Sequence, residues 1–139
     1  MKVMVDSNIL IFSNIADMPE YPGARDKLFG LIDDGCTFAV NTIILSEVNY
    51  KLQKILSRDE AHKRTKNLLH SDYFEYFPVD QTTLERAIDL CHGSKMRIND
   101  AVIAQHCLDL RMDGLFTDNV KDFRQVTGLH LIHLRERKN

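Results

Sequence analysis

Short apolar, β-prone runs separated by longer stretches of helical periodicity constrain this chain more than any other feature. Val3-Met4-Val5 opens the pattern as a strand buried on both faces, and Thr37-Phe38-Ala39-Val40 repeats it. Tyr73 to Val79 is aromatic and β-prone, Leu115-Phe116-Thr117 is a fourth strand, and Leu129-His130-Leu131-Ile132 is the candidate fifth. Between these runs lie helical patterns. Ser7 is placed to cap a helix through Ile9, Leu10, Ile11 and Phe12. A second helix is predicted over 22–34, with Pro22 in its first turn and Gly35 as its stop. From Thr42 a long helix presents Ile44, Val48, Leu52 and Ile55 on one face. Further helices are predicted over 59–70, capped by Ser57 or Asp59, over 81–92, and from Ile98 to Met112 with Gly114 ending it. Residues 17–23 hold two prolines and a glycine and read as a loop. The tail from Arg135 to Asn139 is charged and is expected to fray.

Strands alternating with helices predict an α/β fold with a mostly parallel central sheet of about five strands, flanked by helices in three layers. With 139 residues and 44% hydrophobic content, one domain spanning 1–139 with one core is expected.

Charge argues against one class of function but decides little by itself. Eighteen Lys and Arg against 20 Asp and Glu leave a formal charge of -2, whereas a protein that merely coats nucleic acid is usually basic. A nuclease is not excluded, because bound divalent ions invert the charge of an acidic pocket. Cys36, Cys91 and Cys107 are odd in number and form no C-x-x-C pair, which fits buried reduced thiols in a reducing cytosol. Met1-Lys2 leads directly into the first strand, so no signal peptide is expected, and no apolar run reaches the roughly 18 residues of a membrane span. The expected location is cytoplasmic.

The acids carry the functional reading. Asp6 ends the first strand, Glu47 lies early in the helix after the second, and Asp100 opens the helix before the fourth. Asp118 ends the fourth strand, with Asp122 four residues later. In a parallel sheet, strand ends and the starts of the following helices share one edge, where ligands bind. Carboxylates gathered there repel one another and need a proton or a cation. Hard divalent ions such as Mg²⁺ or Mn²⁺ take oxygen ligands, and they activate water against a phosphodiester. Each acid has a plainer role available, such as Asp100 complementing a helix dipole. Their common placement carries more weight than any one of them. The six histidines show no metal-ligand spacing, and His106 is expected to be structural. No glycine-rich phosphate loop is present.

These segments resemble the motifs of PIN-domain nucleases. Val3 to Leu10 is similar to the opening motif, a hydrophobic strand followed by D-[ST]-N and two apolar residues. Ser46-Glu47-Val48 looks like the second motif, and Ile98-Asn99-Asp100 with Ala101 to Ala104 looks like the third. Phe116 to Phe123 resembles the fourth, T-x-[DN]-x-x-[DE]-F. Length and layout are most similar to VapC-type toxins of prokaryotic toxin–antitoxin pairs. The resemblance implies an Mg²⁺- or Mn²⁺-dependent endoribonuclease acting on RNA, with tRNA and rRNA as candidate substrates. It also implies a cognate antitoxin and a homodimer. By that resemblance Asp6 and Asp100 are direct metal ligands, and Glu47 binds metal directly or through water, or helps to activate the nucleophile. The fourth acid stays open: the motif places it at Asn119, while Asp118 and Asp122 both lie near, and Asp118 is taken as a candidate ligand. Ser7 and Asn8 are candidates to orient Asp6 or the scissile phosphate, Arg97 to contact phosphate, and Asn119 to contact substrate. Lys63-Arg64-Thr65-Lys66 is expected to be a solvated helix face. The alternative reading is a PIN-like module without catalysis that binds RNA or protein.

Overall fold

A computed structural model describes residues 1–135. The elements run β1 (Lys2–Val5), α1 (Ser7–Asn14), α2 (Tyr21–Asp33), β2 (Thr37–Asn41), α3 (Thr42–Ile55), α4 (Arg58–Leu69), β3 (Phe74–Phe77), α5 (Gln81–His92), α6 (Ile98–Asp109), β4 (Gly114–Thr117), α7 (Val120–Phe123) and β5 (Leu131–His133). The five strands form one sheet in the order β3-β2-β1-β4-β5, and every pairing is parallel. Helices flank it, with α3 packed against α1 and α4, and α5 against α6. The α/β expectation is met, and the sheet is wholly rather than mostly parallel.

β1 is central. Val3, Met4 and Val5 are fully buried, as are Leu115 and Phe116 of β4 beside them. This double-sided burial explains why both strands read as continuous apolar runs. The chain leaves β1 toward β2 and β3, then returns to β4 on the other side of β1. The strand order therefore reverses between β1 and β4, and the loops beyond their carboxyl ends splay apart there. Such a switch point is where open α/β sheets bind ligands.

Several local expectations are corrected. Asp6, not Ser7, caps α1: its backbone is extended (φ -70°, ψ 158°) and its carboxylate accepts from the Ser7 N–H. Ser57 rather than Asp59 caps α4, its hydroxyl accepting from the Glu60 N–H at 3.1 Å. α6 stops at Asp109 instead of reaching Met112, because the chain turns at Arg111, which adopts a positive φ of 54°. Gly114 is thus no helix stop but the first residue of β4, where an added Cβ would stand 3.2 Å from Ile132. Ile55 ends α3 exposed, outside the stripe formed by Ile44, Val48 and Leu52. The short helix α7 was not anticipated, since four residues carry too little periodicity to show. Cys36 and Cys107 are buried thiols, but Cys91 is half-buried, its Sγ 3.2 Å from the Met96 carbonyl. Residues 136–139 of the charged tail lie outside the described residues. No helix among the described residues is long and apolar enough to cross a membrane.

Candidate active site

Asp6 leaves the buried end of β1 and is itself buried, at 4% exposure. Its backbone N–H donates to the Phe116 carbonyl at 2.9 Å, which extends the β1–β4 pairing into the loop. Its Oδ1 accepts from the Ser7 N–H at 2.7 Å, and its Oδ2 accepts from the Thr117 hydroxyl at 2.7 Å. Asn8 adds a longer contact, Nδ2 to Oδ2 at 3.4 Å, and its Oδ1 accepts from the Asp118 N–H at 3.2 Å. Thr117 Oγ1 in turn accepts from the Asn119 N–H at 2.9 Å. The turns after β1 and β4 are therefore tied to each other through Asp6, Asn8 and Thr117. These bonds fix the carboxylate without giving it a counter-charge. Burial pushes Asp6 up from 3.8 to about 6, although the bonds from Thr117 and Ser7 pull the other way.

Glu47 is delivered by α3. Asn41 caps that helix through Oδ1 to the Ile44 N–H at 2.9 Å, and Ile44, Val48 and Leu52 bury one stripe against the core. Glu47 falls at the edge of that stripe, half-buried, where its Oε1 accepts from the Ser7 hydroxyl at 3.3 Å. Burial raises its affinity for a proton and the neighbouring Asp100 charge adds to this, opposed by Lys51, Ser7 and Asn99. Asp100 sits in the first turn of α6, also half-buried. Burial raises it first, then the charges of Asp6 and Asp122, while Arg97 and Lys51 act against them.

Asp6, Glu47, Asp100 and Asp122, from four separate segments, thus share one electrostatic field. Asp118 has a partner of its own: its Oδ1 accepts from Arg135 Nε at 3.3 Å. Asp122 accepts from Asn119 Nδ2 at 2.9 Å, so Asn119 orients the acid three residues on. Arg97 holds the position before α6 without making a capping side-chain bond, and it is exposed beside Asp100. His106 is buried, its Nδ1 3.0 Å from Asn41 Nδ2, and burial lowers its proton affinity; it is structural, as expected. Arg64 is engaged too, pairing with Glu60 and donating to the Asn14 carbonyl. Thr117 and Lys51 were not singled out in the sequence as site residues. Their signals were a hydroxyl at a strand end and a lysine one helical turn beyond Glu47.

Among the described residues, no three acid, imidazole or thiol groups stand close enough to enclose an ion by themselves. The donor chemistry nonetheless fits a hard divalent ion bound through one or two carboxylates and completed by water.

A family model described as the PIN domain matches residues 3–129. The chain belongs to the PIN-domain family. A relative of this PIN domain, the ribonuclease VapC6 of Methanocaldococcus jannaschii, is 24% identical over 151 aligned residues, covering 94% of this chain and 95% of that protein. Among solved structures, VapBC2 of Rickettsia felis, bound to a DNA fragment from its promoter, superposes with a TM-score of 0.75. It is 21% identical, over 96% of this chain and 98% of the other. VapC20 of Mycobacterium tuberculosis, a toxin that cleaves the sarcin–ricin loop, gives 0.72 at 12% identity, over 86% and 92% of the two chains. At such identities the structural likeness speaks to the fold.

Proposed function

We propose that this PIN domain is a divalent-metal-dependent endoribonuclease and the toxin of a toxin–antitoxin pair. The observation that carries the catalytic half is the buried Asp6 carboxylate at the switch point, joined by Glu47, Asp100 and Asp122 and given no ion-pair partner among the described residues. The toxin half rests on the ribonuclease VapC relative, whose length this chain nearly matches, and on the likeness to toxin–antitoxin complexes.

In this reading Asp6 and Asp100 would hold Mg²⁺ or Mn²⁺, and Glu47 would either bind it, directly or through water, or help to activate the nucleophile. A bound ion supplies a more acidic water and a counter-charge for the leaving oxygen of the phosphodiester. Ser7 and Thr117 keep Asp6 in one rotamer, and Asn8 locks the two switch-point turns together. Glu47, whose proton affinity is raised, accepts a proton from the attacking water at its carboxylate. The water oxygen bonds to phosphorus as the phosphorus–oxygen bond to the leaving nucleoside breaks. Arg97 is placed to meet phosphate charge at the mouth of the site.

The fourth acid in this reading is Asp122, held by Asn119, and not Asp118, which Arg135 engages. Asp122→Ala should slow RNA cleavage by roughly 10- to 100-fold, the usual cost of an outer group at a metal site. Asp118→Ala should stay within about threefold, as expected for an exposed ion pair. Single-turnover cleavage of labelled RNA checks both, and the opposite ranking would return the role to Asp118.

RNA incubated with the purified protein and Mn²⁺ should be cut, and chelation should stop the reaction. Induction should arrest growth, with relief by an adjacent antitoxin gene. The non-catalytic reading draws on Asn119, which occupies the acid position of the fourth motif. Calorimetric titration showing no Mn²⁺ binding would favour it. A homodimer is expected of such a toxin, and the solution mass at micromolar concentration tests it.

A further inference from the structure

An acidic site that must receive a polyanion needs cationic groups of its own. Two exposed cations lie close in the chain to the acids, Arg97 three residues before Asp100 and Lys51 four residues after Glu47. Neither forms an ion pair with a single carboxylate among the described residues. Lys51 stands one helical turn after Glu47, so both project from the same face of α3. Its neighbour Lys54 is occupied on its own helix, with Nζ 4.4 Å from the Tyr50 ring centroid. Lys51 is not so engaged. Glu47 is itself tied to the turn that carries Asp6, its Oε1 accepting from the Ser7 hydroxyl at 3.3 Å, and α3 packs against both α1 and α6. Buried Val48 and Leu52 anchor the turn of α3 that carries it.

We propose that Lys51 is a substrate-binding residue whose ammonium grips a phosphate of the RNA beside the bond to be cut. An ammonium is a compact three-donor charge suited to phosphate oxygens, and its flexible stem lets it follow the strand. The proposal rests on the nuclease reading and adds to it a named contact from α3. A merely structural Lys51, present to calm the acids, would have no phosphate to hold.

The two roles separate in a binding experiment without catalysis. Asp6→Asn protein, in metal-free buffer, is titrated against a fluorescent single-stranded RNA by anisotropy over a series of salt concentrations. Adding Lys51→Met should weaken binding about fivefold, the scale of one exposed charge contact. The slope of log affinity against log salt should also shrink by about 0.7, one phosphate's share on a single strand. Lys51→Arg, which keeps the charge, should restore both. Equal affinity and slope in Lys51→Met would overturn the proposal while leaving the nuclease intact, provided the wild type cuts RNA with Mn²⁺. A wild type that neither cuts nor binds RNA would overturn the nuclease reading and the Lys51 contact together.

Discussion

Asp6→Ala and Asp100→Ala are each expected to cut RNA roughly 10³-fold more slowly than the wild type in saturating Mn²⁺, the scale seen when a preorganised electrostatic group is removed. That corresponds to about 4 kcal/mol of lost transition-state stabilisation. The two should fail differently. Asp6 is buried and bonded on both oxygens, so its loss also unties the β1 and β4 turns and should weaken Mn²⁺ binding along with turnover. Asp100 is half-buried on a helix that packs independently of those bonds, so its variant should fold as the wild type does. The measurement is single-turnover cleavage of labelled RNA beside calorimetric Mn²⁺ titration. Undiminished cleavage by both variants would remove the catalytic assignment.

Metal-free protein carrying Asp6→Asn should be more stable than the wild type at neutral pH. Folding raises the affinity of Asp6 for its proton, so this group's contribution favours the folded state fully below pH 3.8. That contribution is lost as pH rises through about 6, where the folded-state group must ionise in its buried position. At about 1.4 kcal/mol for each tenfold in proton affinity, the loss is about 3 kcal/mol at pH 7.5. Asparagine keeps the shape and a carbonyl acceptor for the Ser7 N–H without the charge, while its Nδ2 turns the other position into a donor that the Thr117 oxygen must accept instead of donating to. Thermal unfolding in chelator should therefore show Asp6→Asn melting roughly 5 °C or more above wild type at pH 7.5. The two should converge below pH 4. Mn²⁺ should reverse the order, since it stabilises only the protein whose carboxylate it can bind. A wild type more stable than Asp6→Asn in chelator at pH 7.5 would contradict the picture of an uncompensated buried charge.

The two experiments concern one trade. A carboxylate held in place and stripped of water costs stability while alone, and the same features preorganise it for a cation. Ser7 and Thr117 illustrate the arrangement, because both donate to Asp6 and neither neutralises it. Asp109 shows the contrast within the same fold. It accepts from Thr83, Gln105 and Arg86, and together these hold its carboxyl below the usual range. A satisfied acid of that kind has no electrostatic need of a metal.

Much of this was legible along the chain. Val3-Met4-Val5 and Leu115-Phe116 showed their double-sided burial as unbroken apolar runs, and the period of Ile44, Val48 and Leu52 marked the core face of α3. The position of Asp6 came with them, because a carboxylate directly after a buried strand has few structural uses. Boundaries were less legible. The residue type does not mark Arg111 as the one that turns the chain, because it fills the left-handed position of a helix-ending turn, with its N–H on the Leu108 carbonyl and the Met112 N–H on the Cys107 carbonyl, where glycine is usual. Ser7 and Asp6 are both chemically able to cap α1, and only the extended backbone of Asp6 decides between them.

Residue types and spacing by themselves determined an α/β sheet and the family resemblance, and they singled out the acids expected at one edge of that sheet. They could not order the strands, and so could not show that β1 and β4 meet at the point where the order reverses. Nor could they choose among Asp118, Asn119 and Asp122, which follow one another within five residues. That choice belongs to tertiary structure, because it depends on which side chain meets a partner from a distant segment. Asp118 pairs with Arg135 and Asn119 donates to Asp122, and these partners are what favour Asp122 in the proposed reading. The Lys51 proposal has the same dependence: its spacing from Glu47 was visible in the sequence, but the packing of α3 against α1 and α6 was not.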